Sequence, residues 1–404
     1  MKEIPIKIQR LLKEQYLKIT NSIAFYPAII MLLFLALSIL SISFDFSETG
    51  KSLKSQLEWL KLRDSSTARN IATAIVTGIV SLTVFSFTMV MLVLVQTAIQ
   101  MSNRILDNLI GGRFQQVVLG IYIGTIVYAL VLLSTIRDVD SGIQIPVFST
   151  YFLIILTILD LFIFIYFLHY ITQSVRYEVI IRRTYDQTRD SMGKYCSLEA
   201  EPAESPQFQN GYLLKAERSA IYTGFNKTVL NRLCAKHDFS IYIIPSPGTY
   251  ILKGFTILES SENVSDEIKT KVLDAIFLQD SETIEENYQY GFRQLTEVAV
   301  KALSPGVNDP GTAILSMRAL FRLFTFRLSH FPDNTIMGED KKARIFTKEL
   351  TFENLFAETL LPIWDYGKKD RMIQQELYLL LTQLQDIAPH DAVKYLLQEV
   401  KQVK

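Results

Sequence analysis

The chain has 404 residues, 49% of them hydrophobic, and carries 41 basic against 41 acidic side chains. Balanced charge gives no electrostatic ground for a nucleic-acid partner, and so apolar a chain must place part of itself in lipid. Its two cysteines, Cys196 and Cys234, are too few and too far apart for a metal cluster or disulfide framework, and both read as reduced thiols without a redox role.

Residues 1–170 read as a membrane domain with spans expected at about 21–43, 70–100, 114–136 and 145–169. Each is long enough to cross about 30 Å of hydrocarbon at 1.5 Å per residue. No small-residue cleavage site follows the first run, so it reads as an anchor and not a signal peptide. Between Arg69 and Arg104 there is no charge, and as one helix this second run would be about 50 Å long, so it must tilt or project. Basic residues precede the first span (Lys2, Lys7, Arg10, Lys13, Lys18), separate the second from the third (Arg104, Arg113) and follow the fourth (Arg176, Arg182, Arg183, Arg189). Fewer lie opposite, in the pattern Lys51, Lys54, Lys61, Arg63, Arg69 and Arg137. Both termini are therefore expected in the cytoplasm. In the loop "SLKSQLEWLKL", Leu53, Leu57 and Leu60 share a helical face near Trp59, which suits a short surface-lying helix or a solvated one.

Two polar features stand out in the spans. Thr73, Thr77, Ser81, Thr88, Gln96 and Asn103 occupy one sector of the second span. Weak neutral dipoles of this kind suit a water-filled path, and small residues such as Thr77, Gly78 and Ser81 equally suit close helix packing. One subunit of four spans encloses no wide channel, so a pore requires a ring of copies. Asp160 lies mid-way along the fourth span, where an aspartate costs about 2.5 to 3.5 kcal/mol. No lysine or arginine lies inside any expected span. Asp160 must then face water, bind a cation, hydrogen-bond to hydroxyls such as Thr157 or Tyr166, or stay protonated. His169, at the end of the same span, reads as interfacial.

Residues 171–404 read as an α+β domain with a linker at about 197–209, "SLEAEPAESPQ". In "FSIYIIPSPGTYILKGFTIL", two β-forming runs around Pro245-Ser246-Pro247-Gly248 predict a β-hairpin. Ser265, Asp266 and Glu267 mark a helix start, with Ile268, Val272 and Ile276 on one face. Leu295, Val298, Ala299 and Ala302 define the next amphipathic helix, and Ala313, Met317, Leu320, Phe324 and Leu328 another. Two or three more helices are expected in 350–403, and no internal repeat is present.

Between those two helices lies "KALSPGVNDPGTA". Ser304-Pro305-Gly306-Val307 fits a type II turn with Gly306 at positive φ. Asn308, Asp309 and Pro310 then open a helix, with Asp309 as N-cap and Pro310 first. The stretch is either a rigid corner or a ligand site whose Gly311 and Thr312 amides and Thr312 hydroxyl hold an anion. A carboxylate cap argues against the anion. Arg293 is placed to pair with Asp309 or a ligand.

Over nearly its whole length, and most clearly from about Ala68 to Ala313, the chain resembles the bacterial integral membrane proteins grouped as domain of unknown function 2254. The resemblance rests on "LTVFSFTMVMLVLVQTAIQMSNRIL", "FQQVVLGIYIGTIVYALVLL", "PGTYILKGFTIL" and, above all, "YGFRQLTEVAVKALSPGVNDPGTA", with its A-L-S-P-G-x-N-D-P signature. It implies four spans in the bacterial inner membrane followed by a cytoplasmic domain, and it brings no established reaction. The family pattern also implies Ser-Pro-Arg where this chain has Ser102-Asn103-Arg104, an aspartate at Asn287 and an arginine near Glu282. A shared chemistry resting on those groups would be altered here.

His237, His330 and His390 are not spaced as metal ligands, and there is no Gly-rich phosphate loop or nucleophile elbow. The expectation is thus a protein without catalytic residues, metal or cofactor. Its partners would be the lipid bilayer, copies of itself and a permeant ion, in a homo-oligomeric channel lined by the second span and gated or assembled by the C-terminal domain. The alternative is a membrane-anchored ligand sensor or interaction protein without transport.

Overall fold

The computed structural model describes residues 22, 24–50, 52, 64–100, 113–136, 145–174, 176–198, 208, 211–338 and 342–403. The chain divides between Arg176 and Tyr177 into two compact units, six residues beyond the boundary expected from composition.

The first unit is built from α1 (Phe25–Phe46), α2 (Ser65–Gln100), α3 (Arg113–Thr135) and α4 (Val147–Ser174). Each is long and apolar enough to cross a membrane. Carboxylate caps mark the starts of α2 and α4. The Asp64 carboxylate accepts hydrogen bonds from the Ser66 and Thr67 amides, both at 3.1 Å, so α2 starts ahead of Arg69. Hydrogen bonds from the Ser66 and Thr67 hydroxyls help hold that carboxyl down at about 2. α2 then runs for 36 residues, roughly 54 Å. α1 extends past Ser43 to Asp45, whose carboxylate accepts from the Phe148 amide at 3.1 Å, the Ser149 amide at 2.7 Å and the Ser149 hydroxyl at 2.6 Å. One helix thereby caps another: the orphan amides of α4's first turn, just after Pro146, find their acceptor at the end of α1. Gly120 and Gly124, one turn apart on α3, let α1 approach closely. A Cβ on Gly124 would lie 2.6 Å from the Phe34 ring, and one on Gly120 3.0 Å from the Pro27 Cα. The surface helix expected around Trp59 lies outside the described residues.

The second unit begins with α5 (Tyr177–Tyr195), β1 (Cys196–Ser197), β2 (Tyr212–Lys215), β3 (Ala220–Phe225), α6 (Lys227–His237), β4 (Ile241–Ile243), β5 (Tyr250–Ile251), β6 (Thr256–Ser260), α7 (Asp266–Asp274) and β7 (Ile276–Gln279). It continues with α8 (Tyr288–Ala302), α9 (Pro310–Ser329), β8 (Phe331–Pro332), β9 (Thr335–Met337), β10 (Ala343–Thr347), α10 (Phe352–Gly367), α11 (Arg371–Ile387) and α12 (Asp391–Val403). One sheet has the order β2-β6-β4-β10-β9 and a second the order β5-β3-β7, while β1 pairs with β8. Leu230 and Cys234 of α6 and Val272 of α7 share a core with Ile241, Leu258 and Ile345 of the larger sheet. Most of the linker expected at 197–209 lies outside the described residues, and its first residue, Ser197, belongs to β1.

The helical periodicities hold where they were strongest. Leu295, Val298, Ala299 and Ala302 of α8 and Ala313, Met317, Leu320 and Phe324 of α9 are all buried. α5 crosses α8 where a Cβ on Gly291 would overlap the Thr188 hydroxyl. The Arg189 guanidinium lies 3.4 Å from the Phe326 ring centre, and that of Arg322 3.8 Å from Tyr185, fastening α5 to α9.

Two local expectations are corrected. The runs flanking Pro245–Gly248 do not pair with each other: β4 pairs with β6, and β5 leaves to join β3. The cause is the backbone of Tyr222, whose carbonyl accepts from the Gly248 amide at 2.7 Å and whose amide donates to the Thr249 carbonyl at 2.9 Å. A hairpin of consecutive strands forms instead at β9–β10. Ile276 does not extend the helix of Ile268 and Val272. α7 stops at Asp274, the Ala275 carbonyl accepts from the Asn226 amide at 2.8 Å, and Ile276 opens β7 against Phe225. Strand pairing overrides the helical period there.

Candidate functional site

Thr73, Thr77, Ser81 and Thr88 lie on the exposed side of α2, whereas Ala68, Ala72, Ile79 and Ser86 face the interior of the first unit. The hydroxyls bond back along the helix: Thr77 donates to the Thr73 carbonyl at 3.0 Å, Ser81 to Thr77 at 2.9 Å and Thr88 to Val84 at 2.9 Å. Each proton is thus satisfied internally, and each oxygen keeps acceptor capacity. Only 11% of the α2 apolar window is buried, against 44% for α3, so this stripe takes no part in packing the first unit. The Gln96 side chain and Asn103 lie outside the described residues.

Asp160 is not on that face. It is 1% exposed and directed at α3, where the Thr125 hydroxyl approaches it without completing a hydrogen bond and the Tyr122 phenol lies within electrostatic reach. Both Asp160 oxygens and the hydroxyls of Ser86, Tyr122 and Thr125 have no hydrogen-bond partner among the described residues. The hydroxyl partners expected from sequence are not used. Thr157 donates to the Leu153 carbonyl at 2.8 Å, and Tyr166 is exposed and packs edge-on against Phe114. Direct exposure to water is likewise not its solution. Beside the cluster is a cavity of about 150 Å³ whose lining includes Ser86, Tyr122 and Phe167.

The corner between α8 and α9 has its expected cap and an unexpected turn. The Asp309 carboxylate accepts from the Thr312 amide at 3.1 Å and the Thr312 hydroxyl at 2.6 Å, and Pro310 opens α9. The amide and hydroxyl that an anion would need from Thr312 are therefore occupied. Ser304 accepts at its carbonyl from both Val307, at 3.0 Å, and Asn308, at 2.9 Å. Positive φ falls on Asn308, at 49°, and not on Gly306. The Ser304-Pro305-Gly306-Val307 turn is thus not type II. Asparagine tolerates the left-handed region, and reversing at Asn308 lets the Asp309 amide reach the Ala302 carbonyl at 2.8 Å. The corner lies near α5, since burial and the Asp309 charge together raise the Tyr177 phenol.

Arg293 pairs with Glu282 and not with Asp309. Its Nη2 donates to both Glu282 oxygens at 2.6 Å. Asn287 Nδ2 donates to the same carboxylate at 3.1 Å, while Asn287 Oδ1 caps α8 by accepting from the Gln289 amide at 3.0 Å. Gly248, at φ 86°, seals the cluster: a Cβ there would come within 2.5 Å of Arg293 Nη2 and 2.7 Å of Asn287 Nδ2. A glutamate at 282 needs the donor that asparagine supplies at 287, and an aspartate there would repel it. Burial lifts the Cys196 thiol to about 11 and the Cys234 thiol to about 12, so both hold their protons at neutral pH.

Sequence reasoning passed over Asp45, which sits beyond the expected first span, and Ser86, Tyr122 and Thr125, which are unremarkable in an apolar run. It also missed Glu349, which lines an internal cavity of the second unit. The Gly120-x-x-x-Gly124 spacing was visible and signals close helix approach.

Uncharacterized proteins of Mycobacterium bovis and Mycobacterium tuberculosis are 23% identical to this chain over 317 residues, covering 74% of it and 60% of their own length. The match therefore spans less than two thirds of those relatives. No solved structure matches the chain. The model of a family described as a predicted membrane protein, domain of unknown function 2254, matches residues 20–383, and with four membrane-crossing helices ahead of a helix-rich unit the chain belongs to that family.

Proposed function

We propose that the protein is a homo-oligomeric channel of the bacterial inner membrane in which α2 of each copy lines an ion-permeable path. The carrying observation is the hydroxyl stripe Thr73, Thr77, Ser81 and Thr88, which faces away from its own unit on a helix that buries little of itself. Neutral oxygens with spare acceptor capacity bind a cation weakly enough for it to leave, and a ring of copies supplies the wall that one subunit lacks. Asp160 then works behind the wall. Its unpartnered cluster includes Ser86 of α2 itself, so a displacement of α2 changes the surroundings of a buried carboxyl. The excess of basic residues before α1 and after α4 supports cytoplasmic termini and a cytoplasmic second unit. That unit assembles or gates the path, because α5 follows α4 in the chain and is fastened to α8 and α9.

The test is potassium flux through purified protein in liposomes, with the oligomer measured in parallel. Thr77→Val and Asp160→Asn should each lower the flux while leaving the oligomer intact. Absent flux, or flux indifferent to both substitutions, rejects the reading. A second reading, a membrane-anchored ligand sensor, is favoured by the internal cavity of the second unit.

A further inference from the structure

Within the second unit, residues of α5, α8, β3, β7 and β10 line a cavity of about 330 Å³, within the size range of small-molecule sites. A β-bulge shapes its wall. The register of β3 against β7 slips between Tyr222 and Gly224, leaving Thr223 as the extra residue, and Gly224 takes φ 145°. Bulges re-aim side chains, and here Thr223 comes to line the cavity beside Tyr222. Thr223 is 4% exposed and Tyr288, on α8, 3%. The Thr223 hydroxyl has no hydrogen-bond partner among the described residues, and the Tyr288 phenol, approached by the Cys196 thiol and the Gln289 side chain, completes no hydrogen bond with either. Two such groups on one cavity point to a ligand as the missing partner.

Glu349 decides the sign of that ligand. It follows β10, lines the same cavity and makes no ion pair among the described residues. Its one hydrogen bond there comes from Gln289 Nε2 at 3.5 Å, at the limit of such a contact. Arg327, the nearby cation, donates through Nη1 and Nη2 to the His330 and Leu350 carbonyls. The phenols of Tyr222 and Tyr288 both sense the Glu349 charge, so the carboxyl lies close to the aromatic wall. Lys194 and Lys227 line the cavity from exposed positions. A carboxylate or phosphate seated inside would face Glu349. A primary ammonium instead brings positive charge and three donors, matching one carboxylate and two hydroxyl oxygens, and aromatic walls favour an organic cation.

We propose that this cavity binds a small primary ammonium ion, its nitrogen donating to the Glu349 carboxylate and to the Thr223 and Tyr288 hydroxyls. The site goes beyond the channel reading and does not depend on it.

The test is isothermal titration of the full-length protein in detergent micelles with n-butylammonium, compared with n-butanol, tetramethylammonium and acetate. Saturable binding of n-butylammonium, at least about tenfold tighter than that of the other three, is expected. Glu349→Gln and Thr223→Val should each weaken it by about tenfold. Thr223→Val nearly conserves shape, so it keeps the test decisive if Glu349→Gln fails to fold. The proposal is overturned if n-butanol binds as well, which marks a merely apolar cavity. It is equally overturned if tetramethylammonium binds as well, which makes the hydroxyls irrelevant, or if acetate is preferred. Unchanged binding in folded Thr223→Val also rejects it.

Discussion

Asp45 and Asp160 are both buried in the apolar first unit, at 0% and 1% exposure, and they resolve the same problem in opposite ways. Asp45 collects two amides and a hydroxyl from the first turn of α4. Asp160 collects no hydrogen bond among the described residues, although three further hydroxyls share its surroundings. A carboxylate at a helix N-terminus meets oriented donors and the positive end of the dipole, so burial there is structural. A carboxyl in mid-span without partners carries a desolvation cost that packing does not explain, which is the ground for proposing a role for it. The second unit repeats the contrast. Glu282 and Asp309 are fully engaged, and Glu349 is not.

The largest effect expected from this contrast is on stability. Asp45→Ala strands the Phe148 and Ser149 amides and should cost about 3 kcal/mol. Asp160→Leu removes an unpartnered polar group and should leave stability unchanged or raised, even as flux is lost. Thermal unfolding in micelles compares the two. If Asp160→Leu destabilises as much as Asp45→Ala, the division between structural and functional carboxyls collapses.

Next in size is Asn287→Asp. Aspartate still caps α8, but it sets a second carboxylate against Glu282 and should cost about 2 kcal/mol. Adding Glu282→Gln should recover most of that loss, and additive costs in the double variant would show that the two positions are not coupled. Asp309→Ala, which removes one cap, should cost about 1 kcal/mol. Lost flux with undiminished stability would instead mean that the corner holds a ligand.

How much of this was legible in the sequence follows from the range of each interaction. The four spans announce themselves, because a crossing helix needs a run of apolar residues and nothing distant. The Asp309 cap is equally local, being settled within three residues. Asp45 was passed over because its partners, Phe148 and Ser149, lie about a hundred residues on. The cost of placing Asp160 in mid-span was readable but not the helix it would meet, so Thr157 and Tyr166 stood in for Thr125 and Tyr122. Gly306 looked like the positive-φ position because glycine is the usual choice, whereas the bond from the Asp309 amide to Ala302 put the reversal at Asn308. The cavity around Glu349 had no local signal at all. It depends on a bulge in β3 that exists only once β7 pairs with it.

The smallest effect sharpens the comparison most, because it is read by titration. Burial lifts the Glu349 carboxyl from an ordinary 4.5 to about 7, against the pull of Arg327. The groups facing it are Arg327 from α9, Tyr288 and Gln289 from α8, Tyr222 from β3 and Cys196 from β1. Below pH 4.5 the folded and unfolded chains both hold the proton, so the contribution to stability is complete. Between about 4.5 and 7 the unfolded chain releases it while the folded chain keeps it, and stability falls as pH rises. Ammonium binding has the opposite sign, since it needs the ionised form and strengthens as pH climbs towards 7 and above. Unfolding midpoints of the wild type and Glu349→Gln across this window isolate the effect from the other carboxyls. The wild type should lose ground to the variant as pH rises, and saturating n-butylammonium should shrink that loss. Parallel curves for the two proteins would mean that Glu349 is engaged after all, and it would then belong with Asp45.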